Sequence, residues 1–315
     1  MLSRRLFLTS LALFALPLPS LAKPQRMRIV VPYPAGGPLD ACARLLAEAL
    51  KKQLGRVIVE NRPGAAGARA MLQVKNAPAD GLTLVVGALA TLVVNPLLST
   101  DLPYCPSDFK AVAMLSDTPN VLVMTPDAMQ KLKVSNARDL IDFIKANPGK
   151  LNCASGGVGS AGHIINAILS AQGLNTVHVS YAGAMAAQLS LLSGETDLMF
   201  DNFANARAAI ADKRLVALAQ TRSNPDVMID APTLQSLGID CDISTWFGLM
   251  APKDTSPEVC QNLYELITDT LSDKALREKF DQLSGGTRLL SPEAFEKWIV
   301  NEQVKYRSFI KALKF

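Results

Sequence analysis

The sequence predicts an α/β protein of two lobes, with mostly parallel sheets flanked by helices and a ligand cleft between the lobes. Three observations carry this. Apolar, β-branched runs alternate with helical patterns along the chain, the signature of sheets covered by helices. Two glycine-rich turns each join a short strand to a buried helix, so the same unit occurs twice. At 315 residues and 49% hydrophobic content, the chain exceeds one ordinary domain and buries a substantial core.

The first strand is Arg28-Ile29-Val30-Val31-Pro32. After it, Leu39, Ala43, Leu46, Leu50 and Leu54 recur at spacings of three and four and form one apolar helix stripe, which Gly55 ends. Val57-Ile58-Val59-Glu60 and Leu82-Thr83-Leu84-Val85-Val86 read as further strands. The second unit has strand Leu151 to Ser155, a turn through Gly156-Gly157-Val158-Gly159-Ser160, and a helix from Ala161 to Ala171. Val177-His178-Val179 is another strand. In the final third, helices start at Pro257 and Pro292, each preceded by a serine suited to the N-cap, Ser256 and Ser291. These helices are expected to complete the first lobe. The domain expectation is 23–123 with 246–315 for one lobe and 124–245 for the other, with crossings near Val121 to Met124 and Trp246 to Leu249.

Residues 1–22 carry Arg4 and Arg5, an apolar run from Leu6 to about Leu18 and a small-residue ending at Ser20-Leu21-Ala22. This reads as a signal peptide. The run is shorter than the roughly 20 residues a membrane span requires. A general secretory or a twin-arginine signal both lead to the periplasm. Removing Arg4 and Arg5 with no acid takes the formal charge from +4 to +2. That is near neutrality and argues against nucleic acid as a partner. The cluster Lys305, Arg307, Lys311 and Lys314 reads as a solvated helix face. Cys42, Cys105, Cys153, Cys241 and Cys260 are widely spaced, and the chain holds two histidines. No metal site or cofactor is expected. A disulfide is permitted in an oxidising compartment, but the pairing stays open.

Two turns carry the candidate chemistry. Tyr33-Pro34-Ala35-Gly36-Gly37-Pro38 precedes a helix start, whose unpaired N–H groups and positive dipole end suit an anion. Ser155 to Ser160 offers the same from the other lobe. Neither ends in the Lys-Ser/Thr of a nucleotide P-loop. Asp40, in the first helical turn with Arg44 one turn on, is read as a structural carboxylate rather than a ligand contact. Asp201 and Asn202 close an apolar strand where side chains reach the cleft of an α/β fold; ligand contact and capping of the next helix both remain open. Ser155, Ser160 and His163 cluster in sequence, but the Gly-x-Ser-x-Gly elbow is absent and no orienting acid is evident. His163 and His178 are read as structural or cleft-lining.

Several strings together resemble one family: Ile29 to Gly37, Val59-Glu60-Asn61-Arg62-Pro63-Gly64-Ala65-Ala66-Gly67, Pro78-Ala79-Asp80-Gly81, Ala154 to Ser160, His178-Val179-Ser180-Tyr181-Ala182-Gly183, Met199-Phe200-Asp201-Asn202 and Trp246 to Pro252. In this order they resemble the Bug family, the TctC-type receptors of tripartite tricarboxylate transport systems. The resemblance implies a two-lobe, type II-like periplasmic binding protein fold of the Venus-flytrap kind. It implies a non-catalytic, monomeric receptor for a small organic acid or amino acid, working with membrane transport components. The ligand positions it implies are Tyr33, Ala35, Gly36 and Gly37 on one side and Ser155, Gly156, Gly157, Ser160 and His163 on the other. Ala88, Thr91, Tyr181 and Asp201 complete the set. The chain departs from the family's pattern at Leu39, at Leu92-Val93-Val94 and at Ala182, where the family has threonine, histidine and lysine. A ligand tail less polar than citrate is therefore expected, such as an aromatic or branched monocarboxylate. The alternatives are a sensing module for a sensor kinase, which neighbouring genes would discriminate, and an exported serine hydrolase.

Overall fold

The computed structural model describes residues 26–99 and 101–313, so the signal peptide expected at 1–22 lies outside the described residues. In chain order the elements are β1 (Arg26–Val31), α1 (Pro38–Leu54), β2 (Arg56–Asn61), α2 (Ala68–Lys75), β3 (Thr83–Ala88), α3 (Asn95–Leu98), β4 (Phe109–Met124), α4 (Pro126–Leu132) and α5 (Ala137–Ala146). They continue with β5 (Asn152–Ser155), α6 (Ala161–Ala171), β6 (Val177–Ser180), α7 (Ala184–Ser193), β7 (Leu198–Asn202), α8 (Phe203–Ala211), β8 (Val216–Gln220), β9 (Ser244–Pro252), α9 (Pro257–Thr270), α10 (Lys274–Ser284), β10 (Thr287–Leu290) and α11 (Pro292–Leu313).

The strands run in the order β2-β1-β3-β9-β4-β7-β5-β6, with β8 and β10 also paired to β4. On one side β1, β2 and β3 are parallel; on the other, β5, β6 and β7 are parallel. Between them β4 and β9 run antiparallel to their neighbours, which makes the sheet mixed rather than mostly parallel. The physical reason is the length of β4. Phe109 to Pro119 pair with β9, while Asn120 to Val123 pair with β7, so one 16-residue strand serves both lobes.

The α1 stripe is buried at Ala43, Leu46 and Leu50, and Gly55 closes the helix at φ 72°. It packs with Cys260, Ile267, Leu271 and Phe280 of α9, its following turn and α10 in one core, whereas Phe295, Ile299 and Tyr306 of α11 belong to another. Ser256 caps α9 through Val259 N, and Ser291 accepts from Ala294 N at the start of α11. Trp246 on β9 is fully buried, meets Phe295 edge-on and donates Nε1–H to Glu302 Oε2 at 2.9 Å, which anchors α11 over the crossing strands. All five cysteines are unpaired, four of them buried.

Helix α6 lies unusually close to β7. A Cβ on Gly162 would sit 2.6 Å from the backbone oxygen of Phe200. Helix propensity alone favours alanine there by about 1 kcal/mol, but a clash with backbone forces the helix off the strand at roughly 1–3 kcal/mol. Gly162→Ala is therefore expected to lower unfolding free energy in chemical denaturation, against its propensity.

Candidate functional site

Loops from both parallel sheets converge on one cavity of about 440 Å³. The first sheet supplies the turn after β1, the Pro63 to Gly67 segment after β2 and Ala88 to Ala90 after β3. The second supplies the turns after β5 and β6 and the end of β7. Asn120 of β4 and Thr245 of β9 form the floor between them, joined by a hydrogen bond from Thr245 Oγ1 to Asn120 Oδ1 at 3.0 Å.

Among the helices that begin at this cavity, α1, α6 and α7 differ in their caps. Ser160 caps α6 by accepting from His163 N at 3.3 Å. Gly37 before α1 and Gly183 before α7 make no side-chain cap, so N–H groups of those first turns stay available. Pro38 at the start of α1 removes one N–H and leaves those of Leu39 and Asp40 as the open donors.

The β1–α1 turn is braced from behind. Asp40 accepts from Gly36 N at 2.9 Å, from Arg44 Nε at 3.0 Å and from Asn61 Nδ2 at 2.8 Å, and Asn61 also donates to Tyr33 O. Burial would raise the Asp40 carboxyl, but Arg44 and the N–H donors outweigh it and hold the group below its ordinary range. Asp201 differs. It is 1% exposed, accepts from Gln188 Nε2 at 3.0 Å and Asn205 Nδ2 at 2.7 Å, and has no cationic partner among these. Its Oδ1 has no hydrogen-bond partner, and burial pushes its carboxyl up to about 7 despite the amide donors. Asp40 and Asp201 are the charged residues lining the cavity; among the described residues no lysine, arginine or histidine lines it.

Of the residues expected at the site, Tyr33, Ala35, Gly37, Ala88, Gly156, Gly157, Ser160, Tyr181 and Asp201 line this cavity together. Four do not line it. Gly36 is in the turn, bonded to Asp40. Thr91 is fully buried, with Oγ1 bonded to Ala88 N and O. Ser155 is fully buried, with Oγ 2.6 Å from His178 Nε2. His163 accepts from Gly159 N at 3.1 Å. Asp40, read as structural, is braced as expected and also lines the cavity. Asn202 caps α8 through Ala204 N. Leu39 and Ala182 line the cavity, whereas Leu92, Val93 and Val94 are core.

Sequence reasoning missed Pro63 to Gly67, Asn95, Asn120, the α7 start at Gly183 to Met185, and Thr245. The first had a signal: glycines flank Ala65 and Ala66, and both alanines take positive φ, 48° and 52°. Asn95 Nδ2 donates to Ala66 O and pins that segment. Asn120 and Thr245 carried no local signal.

Among known proteins, residues 42–315 match the family described as "Tripartite tricarboxylate transporter family receptor". The chain belongs to this family. Three solved structures set the receptor beside its relatives. The periplasmic binding protein BugD is 28% identical, with a TM-score of 0.82 over 93% of this chain and 99% of that one. R. palustris Rpa4515, solved with adipate, is 25% identical with a TM-score of 0.85 over 92% and 98%. MatC (Rpa3494) from Rhodopseudomonas palustris, solved with bound malate, is 27% identical with a TM-score of 0.81 over 91% and 100%. The receptor thus shares the two-lobe architecture of periplasmic binding proteins.

Proposed function

We propose that this protein is a periplasmic receptor that captures a small molecule by its carboxylate and delivers it to the membrane components of a tripartite tricarboxylate transport system. The observation that carries the reading is that the N-termini of α1 and α7 lack side-chain caps and open on a cavity which, among the described residues, no cationic side chain lines. Such ends hold an anion with backbone N–H groups and the positive pole of the helix dipole. The adipate and malate of the two relatives are acids of this kind.

In this reading 23–123 with 246–315 and 124–245 are the two lobes, and they close on the ligand about β4 and β9. A ligand that touches both lobes favours the closed state. Segment 1–22 directs export by a general secretory or twin-arginine route, and the receptor works as a monomer without a cofactor. It binds without catalysis. The Ser155–His178 contact resembles a nucleophile and its base, but Ser155 is fully buried and its Oγ also accepts from Gly157 N, which supports a structural use of the hydroxyl.

A thermal-shift series against adipate, malate, citrate and aromatic or branched monocarboxylates tests this. An acid at 100 times its dissociation constant stabilises the native state by about 2.7 kcal/mol, well above detection. A flat unfolding midpoint across the whole series would defeat the reading.

A further inference from the structure

Within the turn from Gly156 to Ser160 one backbone hydrogen bond, Ser160 N–H to Gly157 O at 3.1 Å, holds its shape. Gly157 and Gly159 take φ of 125° and 79°, a region that glycine enters freely and that costs it order. Further support comes from behind. The ring of His163, on the first turn of α6, stacks on that of His178, in β6, with centroids 4.3 Å apart and planes 28° from parallel. His163 Nδ1 accepts from Gly159 N at 3.1 Å. His178 Nε2 lies 2.6 Å from Ser155 Oγ, and that oxygen accepts from Gly157 N at 3.3 Å. Two backbone N–H groups of the turn are therefore tied to two imidazoles, one directly and one through a serine.

Filling space would not require this chemistry. An apolar side chain in place of His163 would leave Gly159 N–H without its partner, at about 1–3 kcal/mol for a buried group, and one in place of His178 would take from Ser155 Oγ its shortest contact and leave it those to Gly157. The contact at Gly159 also fixes the tautomer, because Nδ1 accepts only when it carries no proton. The surroundings agree: burial, and then the neighbouring His178 ring, push His163 down to about 4, and burial lowers His178.

We propose that His163 and His178 are positioning residues, a stacked neutral pair whose ring nitrogens hold the Gly156 to Ser160 turn in the shape that walls the ligand cavity. This rests on the reading of the cavity, which that turn lines, as the site of the ligand acid. The pair itself stays outside the cavity, so its effect on binding passes through the turn.

The test compares His163→Asn and His178→Gln, whose amides stand in for Nδ1 and Nε2, with His163→Leu and His178→Leu. Hydrogen exchange at the Gly157 and Gly159 amides is read by NMR in the unliganded protein, and adipate and malate serve as binding probes. In each leucine variant, exchange at the amide which that imidazole holds is expected to accelerate about tenfold or more, with a similar loss of affinity for whichever probe binds the wild type. The amide variants are expected to stay within about threefold of wild type in both readouts. Wild-type exchange in the leucine variants, or amide variants no better than leucine, would overturn the proposal. Should a leucine variant fail to fold, the amide variants decide: unprotected glycine amides there refute it. If wild type binds neither probe while the exchange pattern is as expected, the reading of the cavity fails and the positioning of the turn stands.

Discussion

Gly37→Asp is expected to lose its carboxylate ligand while remaining as stable as the wild type. Gly37 sits at the N-cap of α1 with φ −78° and ψ 169°, a conformation open to any residue, and a Cβ there meets nothing within 4 Å. An aspartate at this position accepts from the N–H groups of the first turn, as capping carboxylates do. It thereby occupies, from within the chain, the donors assigned to the ligand. Aspartate and glycine differ by only a few tenths of a kcal/mol at an N-cap, so the unfolding midpoint should barely move. The ligand, by contrast, loses charge-assisted hydrogen bonds worth about 1.5–3 kcal/mol, which is roughly ten- to hundredfold in dissociation constant. Gly37→Ala is the control, since it adds bulk without an acceptor and should bind like wild type. Isothermal titration of adipate or malate separates the two. Equal weakening in both variants would mean that the N-terminus of α1 does not hold the acid.

The second large effect is on stability against pH. Asp201 has its carboxyl raised from 3.8 to about 7 by burial. The sign follows from where the proton is held: between these values the native state keeps a proton that the unfolded chain has released, so stability falls as pH rises through the window. About three pH units correspond to a contribution on the order of 4 kcal/mol, present in acid and lost by the time the folded carboxyl ionises. Asp201→Asn removes the titration while its amide oxygen still accepts from Gln188 and Asn205. Chemical denaturation at acid and mildly alkaline pH should therefore show the variant gaining on the wild type as pH rises. A constant difference between the two proteins would mean that Asp201 titrates alike in the folded and unfolded chain.

The elements closest to their expected form are those fixed by neighbours in sequence. Helix α6 spans Ala161–Ala171 as its apolar pattern indicates, α1 stops at Gly55, and Ser256 and Ser291 cap the helices they precede. Capping and helical periodicity act within a few residues, so the order of side chains suffices to specify them. The two glycine turns were legible for the same reason.

What lies on which side of the cavity wall was not legible. Ser155, Gly157, Ser160 and His163 are close in sequence, yet Gly157 and Ser160 line the cavity while Ser155 and His163 support the turn from behind. That division depends on the packing of α6 against β7 and on the stack with His178, contacts made across the second sheet. Asn120 and Thr245 entered the site through a pairing 125 residues apart, and the antiparallel centre arose because β4 is long enough to pair in both lobes. The sequence by itself determined the helices, the turns and their chemistry, because these rest on local periodicity and backbone freedom. The tertiary structure alone decided which of those residues face the ligand, because that is set by the register and close approach of segments far apart in the chain.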